Sequence, residues 1–264
     1  MGLHYVRLGK GGSSTGMFRD PSSYTGIAAA PVILWAASVL IAATYSAPFR
    51  MLASEDGPIE TAQAAVLVGC ALLSACIALA LHRRNRSGWS VLYACLAAAC
   101  LWTAGEEISW GQRLFGLATP EWLAHNRQGE ANLHNLPGVG STLYRVVWCS
   151  LWVAVVLSLV TSYWKPSLTA RWRTDLWVPP PILIPFWLCF LSYDAVRALD
   201  QWWFQRDHVA LTVSRLQEPA EFLLYGGVLA FLAIVLVRVR AGPARGRMRG
   251  SSELQARAAG ADHR

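Results

Sequence analysis

The sequence predicts an all-α, polytopic membrane protein with about six transmembrane helices and both termini in the cytoplasm. Three observations carry that prediction. Of 264 residues, 54% are hydrophobic and only 15% are charged, whereas a soluble domain carries about a quarter charged residues. The apolar residues gather in six runs, each close to the roughly 20 residues that a bilayer core asks of a helix. Lysine and arginine gather in alternate connections between those runs, as the positive-inside rule requires.

Residues 1–26 are Gly- and Ser-rich with scattered charge and read as a flexible cytoplasmic tail. They do not resemble a typical signal peptide, because the apolar stretch behind them starts late and runs too long for an h-region. The membrane domain spans 27–237. Its six segments are Ile27–Ala47, Thr61–Leu81, Trp89–Gly105, Tyr144–Trp164, Val178–Tyr193 and Pro219–Val237. The fifth is crowded by Pro179, Pro180, Pro181 and Pro185. Proline at a helix entrance is tolerated, and a kink is expected at Pro185. Residues 238–264 form a basic cytoplasmic tail. No internal repeat is evident.

Charge fixes the orientation. The N-terminal tail, the second-to-third connection, the fourth-to-fifth connection and the C-terminal tail hold 16 of the 23 basic residues. Those same segments hold only Asp20, Asp175, Glu253 and Asp262 of the 16 acidic residues. With six spans all four lie on one side, which the rule assigns to the cytoplasm of the cell (inner or plasma) membrane. The opposite face, made of loops 48–60, 106–143 and 194–218, is net acidic. The overall charge of +7 does not indicate a nucleic-acid partner, because the basic residues are not interleaved with aromatics as a base-stacking surface requires. The bilayer itself is the expected partner. The six cysteines all fall in apolar segments and form no CxxC pair, so they read as packing residues rather than a disulfide framework or zinc ribbon.

Four polar groups converge on the acidic face. The first is Glu55-Asp56-Gly57-Pro58-Ile59-Glu60, where Pro58 and Glu60 suit a helix start. The second is Gly105-Glu106-Glu107-Ile108-Ser109-Trp110-Gly111-Gln112-Arg113. If the third helix continues through it, Glu106, Trp110 and Arg113 share one face. Two carboxylates at a helix C-terminus oppose its dipole, which argues for a purpose beyond capping. The third is Asn126–Asn135, where Glu130 and His134 would share a face on a helix and could both ligate a metal. The fourth is Arg215–Glu221, with Glu218 and Glu221 three apart; capping is the simpler reading there. Trp110, Trp122, Trp202 and Trp203 fit an interfacial aromatic belt. Ionisable residues near membrane depth usually mark a site or a pathway. The expected roles are therefore catalytic for Glu106, Glu107 and Arg113, and substrate-binding for Trp110, Gln112, Asn132 and Asn135. Glu60, Glu130, His134, Glu218 and Glu221 are the expected ligands of a divalent metal.

The strings Glu106-Glu107-Ile108-Ser109-Trp110-Gly111-Gln112-Arg113 and Gln128-Gly129-Glu130-Ala131-Asn132-Leu133-His134-Asn135, with the acidic 55–60 stretch, resemble an uncharacterised family of bacterial multi-pass membrane proteins. The resemblance covers about a quarter of the chain and implies topology but no mechanism. There is no HxxxH pair of the ceramidase and adiponectin-receptor type, and no Glu-x-x-His pair of the di-iron type. The functional expectation is a carboxylate-rich, metal-binding site at the extracytoplasmic interface, belonging to an enzyme that acts on a lipid or lipid-linked substrate. The alternative is a non-catalytic binding, transport or assembly factor. A purely structural role, with the carboxylates paired to Arg113, Arg127 and Arg215, is the third reading.

Overall fold

A computed structural model describes residues 21–54, 57–112, 115–126, 129–164, 174–203 and 213–241. Both expected tails lie largely outside these residues, as do Glu55, Asp56, Arg113, Arg127, Gln128 and His208. The described helices are α1 (Pro21–Thr44), α2 (Ser46–Leu52), α3 (Pro58–His82), α4 (Ser87–Glu107), α5 (Val139–Leu159), α6 (Ile184–Trp203) and α7 (Gln217–Ala241). No strand occurs among the described residues. Six helical stretches are long and apolar enough to cross a membrane, so the chain has the form of a multi-pass membrane protein. Such spans must be helical, because hydrocarbon offers no partner to an open backbone group. Their outward side chains fit that solvent: Leu72, Leu79, Val91 and Leu101 are all exposed.

The first helix starts and ends earlier than the expected Ile27–Ala47. It stops at Thr44, and the chain turns at Tyr45 into the short α2. The expected kink at Pro185 is also absent. A 3-10 turn at Pro181–Leu183 leads into α6 at Ile184, so Pro185 occupies the first helical turn. Its missing N–H has no intrahelical partner to lose there. At the other end of α5 the helix closes in a π-helical turn, Val160–Trp164.

Helix α3 packs against both α4 and α7, α7 packs against α6, and α6 carries α1. The α3–α4 pair is antiparallel, joined by a tight turn in which Asn85 takes a left-handed φ of 55°. The α3–α7 pair is parallel. Gln63 meets Glu218 near both N-termini, and Arg84 meets the Arg240 carbonyl near both C-termini. Two apolar clusters fill the bundle. One joins Cys70, Ile77, Tyr93, Leu232 and Val235 of α3, α4 and α7. The other joins Phe49, Trp187, Phe190, Leu224 and Val155 from the remaining helices and α7. Gly227 sets the α6–α7 spacing: a Cβ there would stand 2.8 Å from Phe186 Cβ and 2.9 Å from Trp187 Nε1. Of the cysteines, Cys70, Cys100 and Cys189 are buried in this packing, and all six are free thiols.

Alternation of the helices puts the connection into α3, the long 108–138 connection and the connection into α7 at one end, here the loop-rich end. Arg83, Arg84, Arg86, Arg238 and Arg240 lie at the other.

Candidate functional site

Helix α4 delivers two neighbouring carboxylates to the loop-rich end and then stops abruptly. Ser109, Trp110 and Gly111 take φ values of 46°, 54° and 74°. A left-handed backbone costs a non-glycine residue roughly 1–2 kcal/mol, so surrounding contacts must hold this turn in place. The helix therefore ends at Glu107, and Glu106 and Trp110 do not share the face of one continued helix; Arg113, the third member of the expected stripe, lies outside the described residues. Trp110 reaches Glu106 by folding back instead. Its Nε1 donates to Glu106 Oε1 at 2.9 Å. Its ring lies over Gly105 and meets Trp102 edge-on, with centroids 4.9 Å apart. A Cβ on Gly105 would come within 2.8 Å of the indole.

Glu106 and Glu130 are the anchors of a polar cage that folds the long connection onto α4. Both are buried, 5% and 4% exposed. Glu106 Oε2 accepts the backbone N–H groups of Leu133 at 2.6 Å and His134 at 3.1 Å. His134 Nδ1 lies 3.5 Å from the same oxygen. Glu130 Oε2 accepts from Asn132 Nδ2 at 2.5 Å, Ser109 Oγ at 3.0 Å and Asn135 Nδ2 at 3.3 Å. Asn126 Nδ2 donates to the Asn132 carbonyl and side-chain oxygens at 2.8 and 2.9 Å. Gln112 bridges the loop: its Oε1 accepts Ala131 N–H at 2.5 Å and its Nε2 donates to Thr119 Oγ1 at 2.9 Å. Thr119 in turn donates to the Gly129 carbonyl. Buried carboxylates demand such donors, and a network with every member satisfied is rigid. The dipole penalty noted for this helix end is offset by the two backbone N–H groups on Glu106.

Glu107, one residue on, faces a different company. It is 8% exposed, and its Oε1 accepts the Tyr225 hydroxyl of α7 at 2.7 Å. Glu218 and Glu106 lie within Coulombic range of it. Glu221 lies within Coulombic range of Glu107, Glu218 and Glu60. Gln217 Nε2 donates to Glu221 Oε1 at 2.8 Å. Gln63 of α3 is fully buried. Its Nε2 donates to the Glu218 carbonyl at 2.7 Å and to Glu218 Oε2 at 3.2 Å, while its Oε1 has no hydrogen-bond partner. Glu60, Glu218, Glu221 and Tyr225 are half-buried and form the rim of this second, acidic group.

The expected residues thus divide into two sets. Glu106, Trp110, Gln112, Glu130, Asn132, His134 and Asn135 build the cage. Glu107, Glu60, Glu218 and Glu221 build the acidic group between α3, α4 and α7. Arg113 lies outside the described residues. Glu130 and His134 do not share a helical face, because residues 129–138 form turns and bends; His134 lies against Glu106, and Glu130 against Ser109, Asn132 and Asn135. The five expected metal ligands are split between the two sets. Among the described residues, no group of three or more His, Cys, Asp or Glu side chains is placed to hold a metal ion.

Gln63, Tyr225, Ser109, Asn126 and Thr119 were not among the expected site residues. Two of them carry a readable signal. Gln63 stands three residues after Glu60 on the same helical face. Tyr225 continues the stripe of Glu218 and Glu221 at i+7 and i+4. Comparison with protein-family models, with curated proteins and with solved structures gave no match to this chain.

Proposed function

We propose that the protein sits in the cell (inner or plasma) membrane with both termini in the cytoplasm, and that its acidic group acts at the extracytoplasmic interface on a lipid or lipid-linked substrate. The arginines gathered at one end support that orientation through the positive-inside rule. In this reading Glu107 exchanges a proton with the substrate, Tyr225 orients its carboxyl, and Glu60, Glu218 and Glu221 hold the polar end of the substrate at the rim. The cage does no chemistry. It fixes the end of α4 and so aims Glu107, as a catalytic carboxylate must be aimed.

The observation that carries the reading is the Glu107–Tyr225 pair at 2.7 Å. A buried carboxylate holding a hydroxyl among other carboxylates is costly to maintain and typical of functional sites. The test is a lipid profile of cells expressing wild type, Glu107→Gln or Tyr225→Phe at equal membrane levels. Wild type is expected to change the abundance of at least one lipid or lipid-linked species, and Glu107→Gln to abolish that change. Identical profiles for wild type and Glu107→Gln would overturn it.

A second reading, a non-catalytic binding or assembly factor, draws on a different observation. The donors converging on Glu106 and Glu130 leave that half of the motif with positioning work alone. Stable co-purification of a protein partner, with unchanged lipid profiles, is its signature.

A further inference from the structure

Glu107 and Glu221 have more acceptor sites than the donors that reach them fill. Tyr225, Gln217 and Gln63 each direct a donor into the acidic group. Glu107 receives the Tyr225 hydroxyl and Glu221 receives Gln217, yet each carboxylate offers about four lone-pair sites. The independent sign is Gln63. Its amide lies against Glu218 through Nε2, and in that same planar amide Oε1 is fully buried with no hydrogen-bond partner. A buried carbonyl oxygen without a donor is costly and uncommon. An acceptor-rich site with an orphaned carbonyl asks for a ligand that only donates.

From this arrangement we infer that the group formed by Gln63, Glu107, Glu218 and Glu221 binds the primary ammonium of its ligand, with Gln63 Oε1 taking one of the three N–H donors. The inference rests on the function proposed above and names the chemistry of the substrate's polar end. A compact divalent ion asks for several ligands drawn to one point, and no such group of three stands among the described residues. An ammonium tolerates the wider spacing, because its three N–H···O contacts are each about 2.7–2.9 Å long and rotate freely about one nitrogen. A quaternary ammonium has no N–H to give and is recognised by aromatic cages. The aromatic ring of this group, Tyr225, instead offers its hydroxyl to Glu107. Glu60, Glu218 and Glu221 at the group's rim are half-buried rather than sealed within the bundle. Such an ammonium comes either from a lipid headgroup or from a soluble amine.

Native mass spectrometry of the detergent-purified full chain tests this without any substitution. The probes are dioleoyl phosphatidylethanolamine, its N-trimethylated counterpart dioleoyl phosphatidylcholine, and glycerophosphoethanolamine. Wild type is expected to retain the ethanolamine lipid about ten-fold more tightly than the choline lipid, the worth of one charge-assisted hydrogen bond. Retention of the ethanolamine lipid alone identifies a headgroup as the source. Equal retention of glycerophosphoethanolamine identifies a soluble amine. Both support the inference, and equal binding of the choline lipid overturns it. Gln63→Leu and Glu221→Gln are each expected to remove most of the preference, and the conservative Glu221→Gln to do so with a melting temperature near that of wild type. A preference unchanged in both variants also overturns the inference. Loss of the preference in wild type, with Glu107-dependent lipid changes intact in cells, would sink the ammonium and spare the function.

Discussion

Glu106 and Glu107 are neighbours in sequence and opposites in setting. Glu106 is wrapped by the chain's own donors: an indole N–H and two backbone N–H groups. Among the described residues, Glu107 meets one hydroxyl from a helix more than a hundred residues away and has the carboxylates of Glu218 and Glu106 nearby. A helix turns by about 100° per residue, so one step along α4 moves a carboxylate from the long connection to the α3–α7 seam. The first environment stabilises the anion and commits its oxygens to structure. The second leaves Glu107 able to accept more. Adjacent acidic residues at a helix end are thus not one feature doubled, and their substitutions should separate cleanly.

The largest effect is expected from Glu130→Ala. It strands the buried donors of Ser109 and Asn132 and the half-buried donor of Asn135, at a cost of about 3 kcal/mol or more, since each unsatisfied buried donor carries roughly 1–3 kcal/mol. Thermal melts of the purified protein should show the lowest midpoint of the series, and protease should cut the 108–138 connection first. A melt like wild type would show that the cage does not hold that loop. Next is Gly105→Ala. The added methyl meets the Trp110 ring, and overpacking of this kind costs typically about 1–3 kcal/mol. The tryptophan near-ultraviolet dichroism should change with it; an unchanged spectrum and midpoint would deny the close approach. Tyr225→Phe deletes one hydrogen bond between half-buried and buried partners, for a loss of about 1 kcal/mol. Its functional effect in the lipid assay should exceed that small cost. Glu107→Gln is expected to be the mildest for stability, within about 1 kcal/mol of wild type, because the amide oxygen still accepts the tyrosine hydroxyl. If it instead melts as low as Glu130→Ala, the contrast between the two carboxylates collapses.

The spans were legible because hydrocarbon thickness imposes a length, and an apolar run as long as that of α3 fits a bilayer better than a soluble core. Pro58 and Glu60 announced the start of α3 for local reasons, and they do stand in its first turn. The end of α4 was not legible. Nothing about Ser109 or Trp110 favours a left-handed backbone, and only Gly111 is a residue that adopts one readily. Contacts made twenty residues later, by Glu130 and Asn132, impose that turn. The division of the acidic residues was hidden for the same reason. The sequence brings Glu60, Glu106, Glu107, Glu130, Glu218 and Glu221 to one end of the bundle, but which of them meet depends on α3 and α7 lying parallel. The stripe of Glu218, Glu221 and Tyr225 was visible in spacing alone; its target was not.

The contact between Gln63 and Glu218 spans 155 residues of chain. Chains emerge from the ribosome N-terminus first, at about 5–20 residues per second. Gln63 and Glu107 therefore reach the bilayer seconds before the helix that supplies Glu218, Glu221 and Tyr225 exists. In that interval the α3–α4 hairpin must carry a buried glutamine and a carboxylate with neither of their final companions. The last helix to be made completes the polar seam. A nascent chain arrested before residue 217 would hold all of the α4 anchor and none of the surface that α7 brings to it.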